Sequence, residues 1–464
     1  MVIVMQKKSY VNLREDYPEF LYKSFNLSED NESIYISYDF EIPWLTAFKP
    51  EIRIDKTNLN IVNDFNSPCG RRIIFLLGMV EAVSYLKAAC CPKMIVMCGS
   101  LTEAEKLWWK KLYFNGLGEF FYINNITPDF DSFLTIECTG SNEALVSYEM
   151  NFTDYNIVPV GGGKDSAVSA ELVKGVNDKI LFFTVNNQKA RTDTVLAAGY
   201  SENDIIKTYR KISPELLELN RQGFLNGHTP FSAIVAFLSL YCAYLTGCKN
   251  IILSNEASAN ESNIPGSNIN HQYSKSYEFE SDFTGYVDEY VGVSINYFSI
   301  LRPFNELQIA KKFCIAEKYL YCFRSCNAGS KNNIWCCNCP KCLFDFSVLS
   351  AFVKVDTLSE VFGENLFEKV SLADDFKGLV GLSPVKPFEC VGTISEIKYA
   401  LALCIERMKN NGEGLPALLE IFDQSFNIND ILSQPVMSEF NDCHNIPDEF
   451  MIAVNEMRRE VVEG

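Results

Sequence analysis

The sequence predicts an α/β fold. A parallel sheet with helices on both faces is preceded by an α+β domain and followed by a mostly helical region. Three observations predict it. From Asn156 onward, short apolar runs alternate with helix-spaced segments, the pattern of buried parallel strands with crossover helices. One of these runs ends in Gly161, Gly162 and Gly163 and opens at once into a helical pattern. Four cysteines then gather between Cys326 and Cys342. The expected domains are 1–155, 156–355 and 356–464.

Taken in order, the first third reads as a unit of its own, substrate-binding or structural. A helix is expected from Gly78 to Ala89, a strand from Met94 to Met97, and an amphipathic helix from Thr102 to Tyr113. Gly116 to Tyr122 reads as an aromatic strand. The adjacent Trp108 and Trp109 fit a core or an interface better than a ligand platform. In the second domain the glycine-loop helix leads to a buried strand, Ile180 to Val185, which ends in Asn186 and Asn187. Thr229 to Cys248 carries no charge, yet its Thr-Pro start and Gly247 stop are helix-cap signals. It reads as a buried crossover helix before the strand Ile251 to Ser254, rather than a membrane span. Ligands of such sheets sit at the carboxyl ends of the strands. Those ends hold the glycine loop, Asn186, Asn187 and the run from Asn255 to Glu261.

Composition narrows the function. The chain has 464 residues, is 47% hydrophobic and has a formal charge of −18. That is globular, and the acidity argues against a large nucleic-acid footprint. The opening Met-Val-Ile-Val-Met-Gln-Lys-Lys lacks the plan of a secretory signal. Seventeen cysteines could mean a secreted disulfide scaffold, but several sit singly in apolar runs. The dense group reads as metal binding in a reducing compartment, so the expected location is the cytoplasm.

That group is Cys326, Cys336, Cys339 and Cys342, spaced Cys-x9-Cys-x2-Cys-x2-Cys. Four thiolates close a tetrahedral site and leave no open position, so a bound zinc would be structural. An iron–sulfur cluster is the competing occupant. Cys337 either stays outside the set or replaces Cys336 in a poorer register.

A strand entering a glycine loop at a helix start is a ready anion site, because the first-turn N–H groups have no helical partners. Such a loop is also an ordinary tight turn. Gly162-Gly163-Lys164-Asp165-Ser166 sharpens the reading, since Gly-Gly-x-Asp-Ser after an apolar strand resembles the loop of the ATP pyrophosphatase (PP-loop) superfamily. Gly161 departs from that pattern, which has serine there. A loop followed by a four-cysteine knot is also similar to 7-cyano-7-deazaguanine synthase of the same superfamily.

Further blocks resemble one family within it. They are Gly227-His228-Thr229-Pro230, Ser254-Asn255-Glu256-Ala257, the run from His271 to Glu280, Leu301-Arg302-Pro303 and Lys386 to Thr393. The family is the ATP-dependent UDP-N-acetylmuramoyl-L-alanyl-L-glutamate epimerases. The resemblance implies inversion of the terminal L-glutamate of a UDP-muramoyl dipeptide through a carboxyl-adenylate, with AMP and pyrophosphate released, in peptidoglycan precursor synthesis.

In that scheme Gly161, Gly162, Gly163, Lys164, Asp165 and Ser166 hold ATP, with Asn186 and Asn187 at the adenosine. Asp165 would place Mg²⁺ on the phosphates, and Lys164 would add positive charge. Arg302, Asn255 and Glu256 are candidates for substrate binding. Inversion needs an acid or base on each face of the α-carbon. The candidates are His271, Tyr273, Lys275 and Glu278, with Cys337 and Cys390 also open. Two other readings compete: an adenylating enzyme that amidates or thiolates a base or nucleotide, and a zinc-stabilised scaffold without catalysis.

Overall fold

The computed structural model describes residues 8–141, 149–260, 272–384, 386–387, 389 and 391–463. His271 and Cys390 lie outside the described residues. The chain is mixed α/β and divides into two compact units. The first comprises Met1–Ile157, Ile206–Ile251 and Ile269–Asn296; the second comprises Val158–Ile205, Ile252–Asn268 and Tyr297–Gly464.

The first unit is built on a mixed sheet. Its strands run in the order Thr135–Cys138, Lys93–Val96, Glu19–Glu29, Ser33–Ile42, Glu51–Asp55 and Ile205–Lys211. The first three are parallel, in register at Glu19↔Lys93 and Lys93↔Thr135. The rest pair antiparallel, as at Ile34↔Ile54 and Ile54↔Thr208. Alternation along Ser33–Ile42 buries Ile34, Ile36, Tyr38, Phe40 and Ile42, as a one-sided sheet requires.

The helix Pro68–Leu86 begins ten residues earlier than the periodicity implied. Ser67 accepts from the Gly70 N–H at 3.0 Å, and Pro68 takes the first helical position, where its missing N–H costs nothing. The helix Glu103–Gly116 starts with the Thr102–Glu105 capping box. Trp109 on this helix is wholly buried and donates to Tyr286 Oη at 3.0 Å, stacked on Phe237; the tryptophan pair belongs to the core.

One expected element is wrong. Gly118–Ile123 is a helix, not an aromatic strand. The Phe121 N–H bonds the Leu117 carbonyl at 2.9 Å, and Asn125 turns left-handed behind it (φ 54°). Its aromatics bury against Phe114 and Phe133, and packing outweighs their strand propensity. The uncharged stretch is the helix Phe231–Thr246, buried nearly throughout and ended by Gly247 in the left-handed region. Among the described residues no helix is long and apolar enough to cross a membrane.

The second unit holds the strand Ile180–Val185, as expected, and the carboxyl ends of Thr153–Pro159 and Cys248–Leu253. Upstream, Ile157 pairs with Ile251 in parallel. The Val160 N–H reaches the Phe183 carbonyl at 2.9 Å, and the Ile300 N–H reaches that of Leu253 at 3.1 Å. Beyond Ser299 every described element is a helix. One apolar core runs from Val158, Phe182 and Ile252 to Leu401, Phe422 and Val454. The segment around Val436–Ser438 is tied back by Asn305 and Gln308, whose amides donate to the Val436, Met437 and Glu439 carbonyls.

Candidate active site and metal centre

The strand Thr153–Pro159 delivers the glycine loop into the helix Lys164–Val176. Gly162 has φ +86°, a conformation that only glycine adopts freely. Gly163 is the N-cap and carries no side chain to cap the first turn. Gly161 faces open space, so nothing steric forbids a serine there. The loop is braced from behind. The Arg324 N–H donates to the Gly162 carbonyl at 2.7 Å, and Arg191 donates to the carbonyls of Gly161, Val185 and Asn186. Ser166 Oγ turns back onto the Gly163 carbonyl at 2.9 Å.

Lys164 does not face outward. It is 1% exposed, and its ammonium donates to Asp165 Oδ1 at 2.5 Å and to the Glu306 carboxylate. One oxygen each from Asp165, Glu256 and Glu306 lies within 4.8 Å of the others. Burial pushes the Glu306 carboxyl up, Lys164 pulls it down, and the negative neighbours Asp165 and Glu256 push it up again. The net shift is upward. For Lys164 burial works against the charge, but Asp165, Glu306 and Asp345 outweigh it and hold the lysine well above its usual range. Asp345 is fully buried and neither oxygen accepts a hydrogen bond among the described residues; the Lys341 ammonium stands 3.7 Å away. Glu396 accepts from the Glu306 N–H at 3.0 Å. Three carboxylates converging on a site that holds one ammonium suit a hard divalent cation.

The other expected residues fall as follows. Asn186 is left-handed (φ 53°). Asn187 Nδ2 donates to Thr192 at 3.0 Å, and its Oδ1 is buried without a described partner. The Asn255 carbonyl accepts from Ser299 Oγ at 2.5 Å. Arg302 is wholly buried and its Nη1 donates to the Glu256 carbonyl at 2.9 Å, so it shapes the turn that presents Glu256. Tyr273, Lys275 and Glu278 belong to the first unit. Tyr273 is buried, which pushes its hydroxyl up to about 12. Glu278 pairs with Lys111 at 2.7 Å.

Glu306, Asp345, Lys341 and Glu396 escaped sequence reading as site residues. Glu306 showed only as the first residue of a helix, and its partner Lys164 lies 142 positions away.

The four thiols Cys326, Cys336, Cys339 and Cys342 come together, with all Sγ atoms within 4.8 Å and three of the pairs 3.5, 3.7 and 4.0 Å apart. A tetrahedron of zinc–sulfur bonds has an edge of roughly 3.8 Å, so the cage fits. Backbone N–H groups of Gly329, Asn338 and Cys342 point at its sulfurs. Cys339 is also the N-cap of the helix Pro340–Leu349. Cys337 is not a member: left-handed at φ 51°, it sends its Sγ to the Phe362 carbonyl at 3.2 Å.

A mixed α/β chain with a buried carboxylate–lysine site and a four-thiol cage has the build of an enzyme rather than of a simple binding module. Comparison with known proteins supplies the family. Residues 11–300 match the MurL N-terminal domain and residues 320–424 the MurL C-terminal domain; the chain belongs to the MurL family. It is 31% identical over 392 residues to the UDP-N-acetyl-alpha-D-muramoyl-L-alanyl-L-glutamate epimerase of Xanthomonas oryzae pv. oryzae, covering 82% of this chain and 85% of that protein. Proteins of the same name from Micromonospora sp. and Salinispora tropica are each 34% identical, over 72% of this chain and 75% and 74% of theirs. By this kinship the protein is an enzyme, an isomerase of the epimerase type. No solved structure matches it.

Proposed function

We propose that the protein inverts the terminal L-glutamate of UDP-N-acetylmuramoyl-L-alanyl-L-glutamate to D-glutamate, using ATP and releasing AMP and pyrophosphate. The reaction is a cytoplasmic step of peptidoglycan precursor synthesis. Its relatives' names support the substrate. The observation that carries the ATP dependence is the glycine cradle of Gly161–Gly163 at a helix start, with Asp165 beside Glu256 and Glu306.

The chemistry explains why an epimerase would need a nucleotide. Removing the α-hydrogen of a free glutamate builds a second negative charge beside the carboxylate. Joining that carboxylate to AMP, with pyrophosphate leaving, removes the first charge and makes the carbonyl an electron sink. The α-hydrogen can then leave from one face and return on the other before water attacks the carbonyl, restoring the carboxylate and releasing AMP.

In this reading the loop amides hold the departing phosphates and Asp165, Glu256 and Glu306 hold magnesium. That ion, when bound, offsets the charge of the phosphates. Lys275, Tyr273, Glu278 and His271 remain the candidates for the two faces. Cys326, Cys336, Cys339 and Cys342 would hold a structural zinc, whose contribution is folding energy.

The test is the reaction in deuterium oxide. Deuterium should enter the glutamate α-position only with ATP and magnesium present, with AMP formed alongside. Exchange that proceeds without ATP would remove adenylation from the mechanism.

A further inference from the structure

The first unit carries a basic cluster of which the proposed chemistry uses only Lys275, as one candidate at the α-carbon. Several half-buried cations of that unit reach carboxylates: Arg72 pairs with Glu105, Arg210 takes both oxygens of Glu81, and Lys111 pairs with Glu278 and Asp282. Lys87 differs. It sits at the end of the helix Pro68–Leu86, is 4% exposed, and forms no ion pair among the described residues. An ammonium has three hydrogens to donate, and a single described acceptor, the Gly227 carbonyl, receives one. A charge taken from water without a partner is costly, and burial lowers this ammonium to about 8; an anion beside it would offset that cost.

The surroundings are arranged to receive one. Gly227 has φ +156°, and a Cβ there would lie 2.7 Å from Ile123 Cδ1 and 3.2 Å from the Phe120 Cα. The backbone is therefore pressed against the helix Gly118–Ile123, which fixes the carbonyl that anchors Lys87. The next residue, His228, has a side chain one-third exposed (33%) and its Nδ1 3.8 Å from Glu119 Oε2. Burial and the charges of Lys87 and then Lys275 hold its imidazole down to about 4, so at neutral pH it is uncharged and offers an N–H. Lys275 is half-buried in the turn Tyr273–Lys275. Glu119 draws on Lys87 without pairing with it. The imidazole thus feels ammonium groups from two other segments, and Glu119 acts on both it and Lys87, in a chain of formal charge −18. The deep end is Lys87; the open rim is His228 and Lys275.

We propose that Lys87, His228 and Lys275 form an oxyanion subsite for the substrate, filled by a phosphate of a nucleoside diphosphate or by a carboxylate of the attached peptide. The proposal rests on the reading of the substrate as a UDP-linked dipeptide, but not on adenylation.

Calorimetric titration of the full-length protein with UDP, and separately with L-alanyl-L-glutamate, tests it without ATP. Lys87→Met and Lys275→Met should each weaken binding of one probe at least tenfold, and flatten its dependence on salt. The probe that weakens identifies the anion. Thermal unfolding without ligand reports whether each variant is folded; Lys275→Met, on the half-buried rim, keeps the test decisive if Lys87→Met is not. Unchanged binding of both probes in the folded variants, or no binding of either by the wild type, overturns the subsite. Wild-type binding that depends on these lysines, without ATP-dependent exchange at the α-carbon, would instead retire the adenylation reading and leave the subsite standing.

Discussion

The ammonium of Lys164, the first residue of the glycine-loop helix, is hydrogen-bonded to the carboxylate of Glu306, the first residue of the helix Glu306–Ile315. Both side chains are sealed from solvent, at 1% and 2% exposure. Two helix starts are thereby locked together by opposite charges. Removing one partner of such a pair leaves a buried charge uncompensated, at a cost of about 3–5 kcal/mol. Lys164→Met should lose that much stability in urea unfolding, and the double change with Glu306→Gln should lose less than the sum. Additive losses would mean that the pair is not coupled.

Asp165 is the member of the carboxylate set nearest solvent, with its side chain 28% exposed. Asp165→Asn keeps the shape and an acceptor toward Lys164 while removing the charge that a cation needs. The expected outcome is loss of pyrophosphate release with the folded circular-dichroism spectrum retained. Undiminished release would take Asp165 out of the reaction.

The two neighbouring cysteines of the knot should behave oppositely. Cys339→Ser removes a cage sulfur, so the purified protein should lose its metal and its cooperative unfolding. Cys337→Ser leaves every cage sulfur in place, changing the side chain that reaches the Phe362 carbonyl, and should keep the metal content of the wild type. Metal analysis of the two variants decides the register.

His228 gives a pH signature with a definite sign. Its folded value, about 4, lies below the ordinary 6.5. Between those limits the unfolded chain binds more protons than the folded one, so stability falls as pH drops from 6.5 toward 4. The surrounding charges are Lys87, Lys275 and Glu119. In His228→Gln, without ligand, the fall over that window should be shallower; an unchanged slope would mean that the ring titrates freely.

Sequence periodicity carried some elements well. Ile180–Val185 is the expected strand, because five of its six residues are buried and β-branched or aromatic residues dominate it. The helix Phe231–Thr246 was announced by its glycine stop. The cysteine group was legible from its short Cys-x2-Cys steps, but the choice between Cys336 and Cys337 depended on where each sulfur points in the fold. Gly118–Ile123 failed because aromatic content favours a strand until packing is known. Glu306, Asp345 and Lys87 failed for a different reason. A lone charge on a helix looks solvated in sequence, and its burial is decided by partners far along the chain.

The helix Pro340–Leu349 begins at a cage sulfur and carries Lys341 two residues and Asp345 six residues beyond it. With the proposed zinc in the cage, a chelator that strips it would slacken that helix start and, with it, the salt lattice around Lys164. Catalytic competence would then follow the metal supply of the cell, although no reacting atom need ever touch the ion.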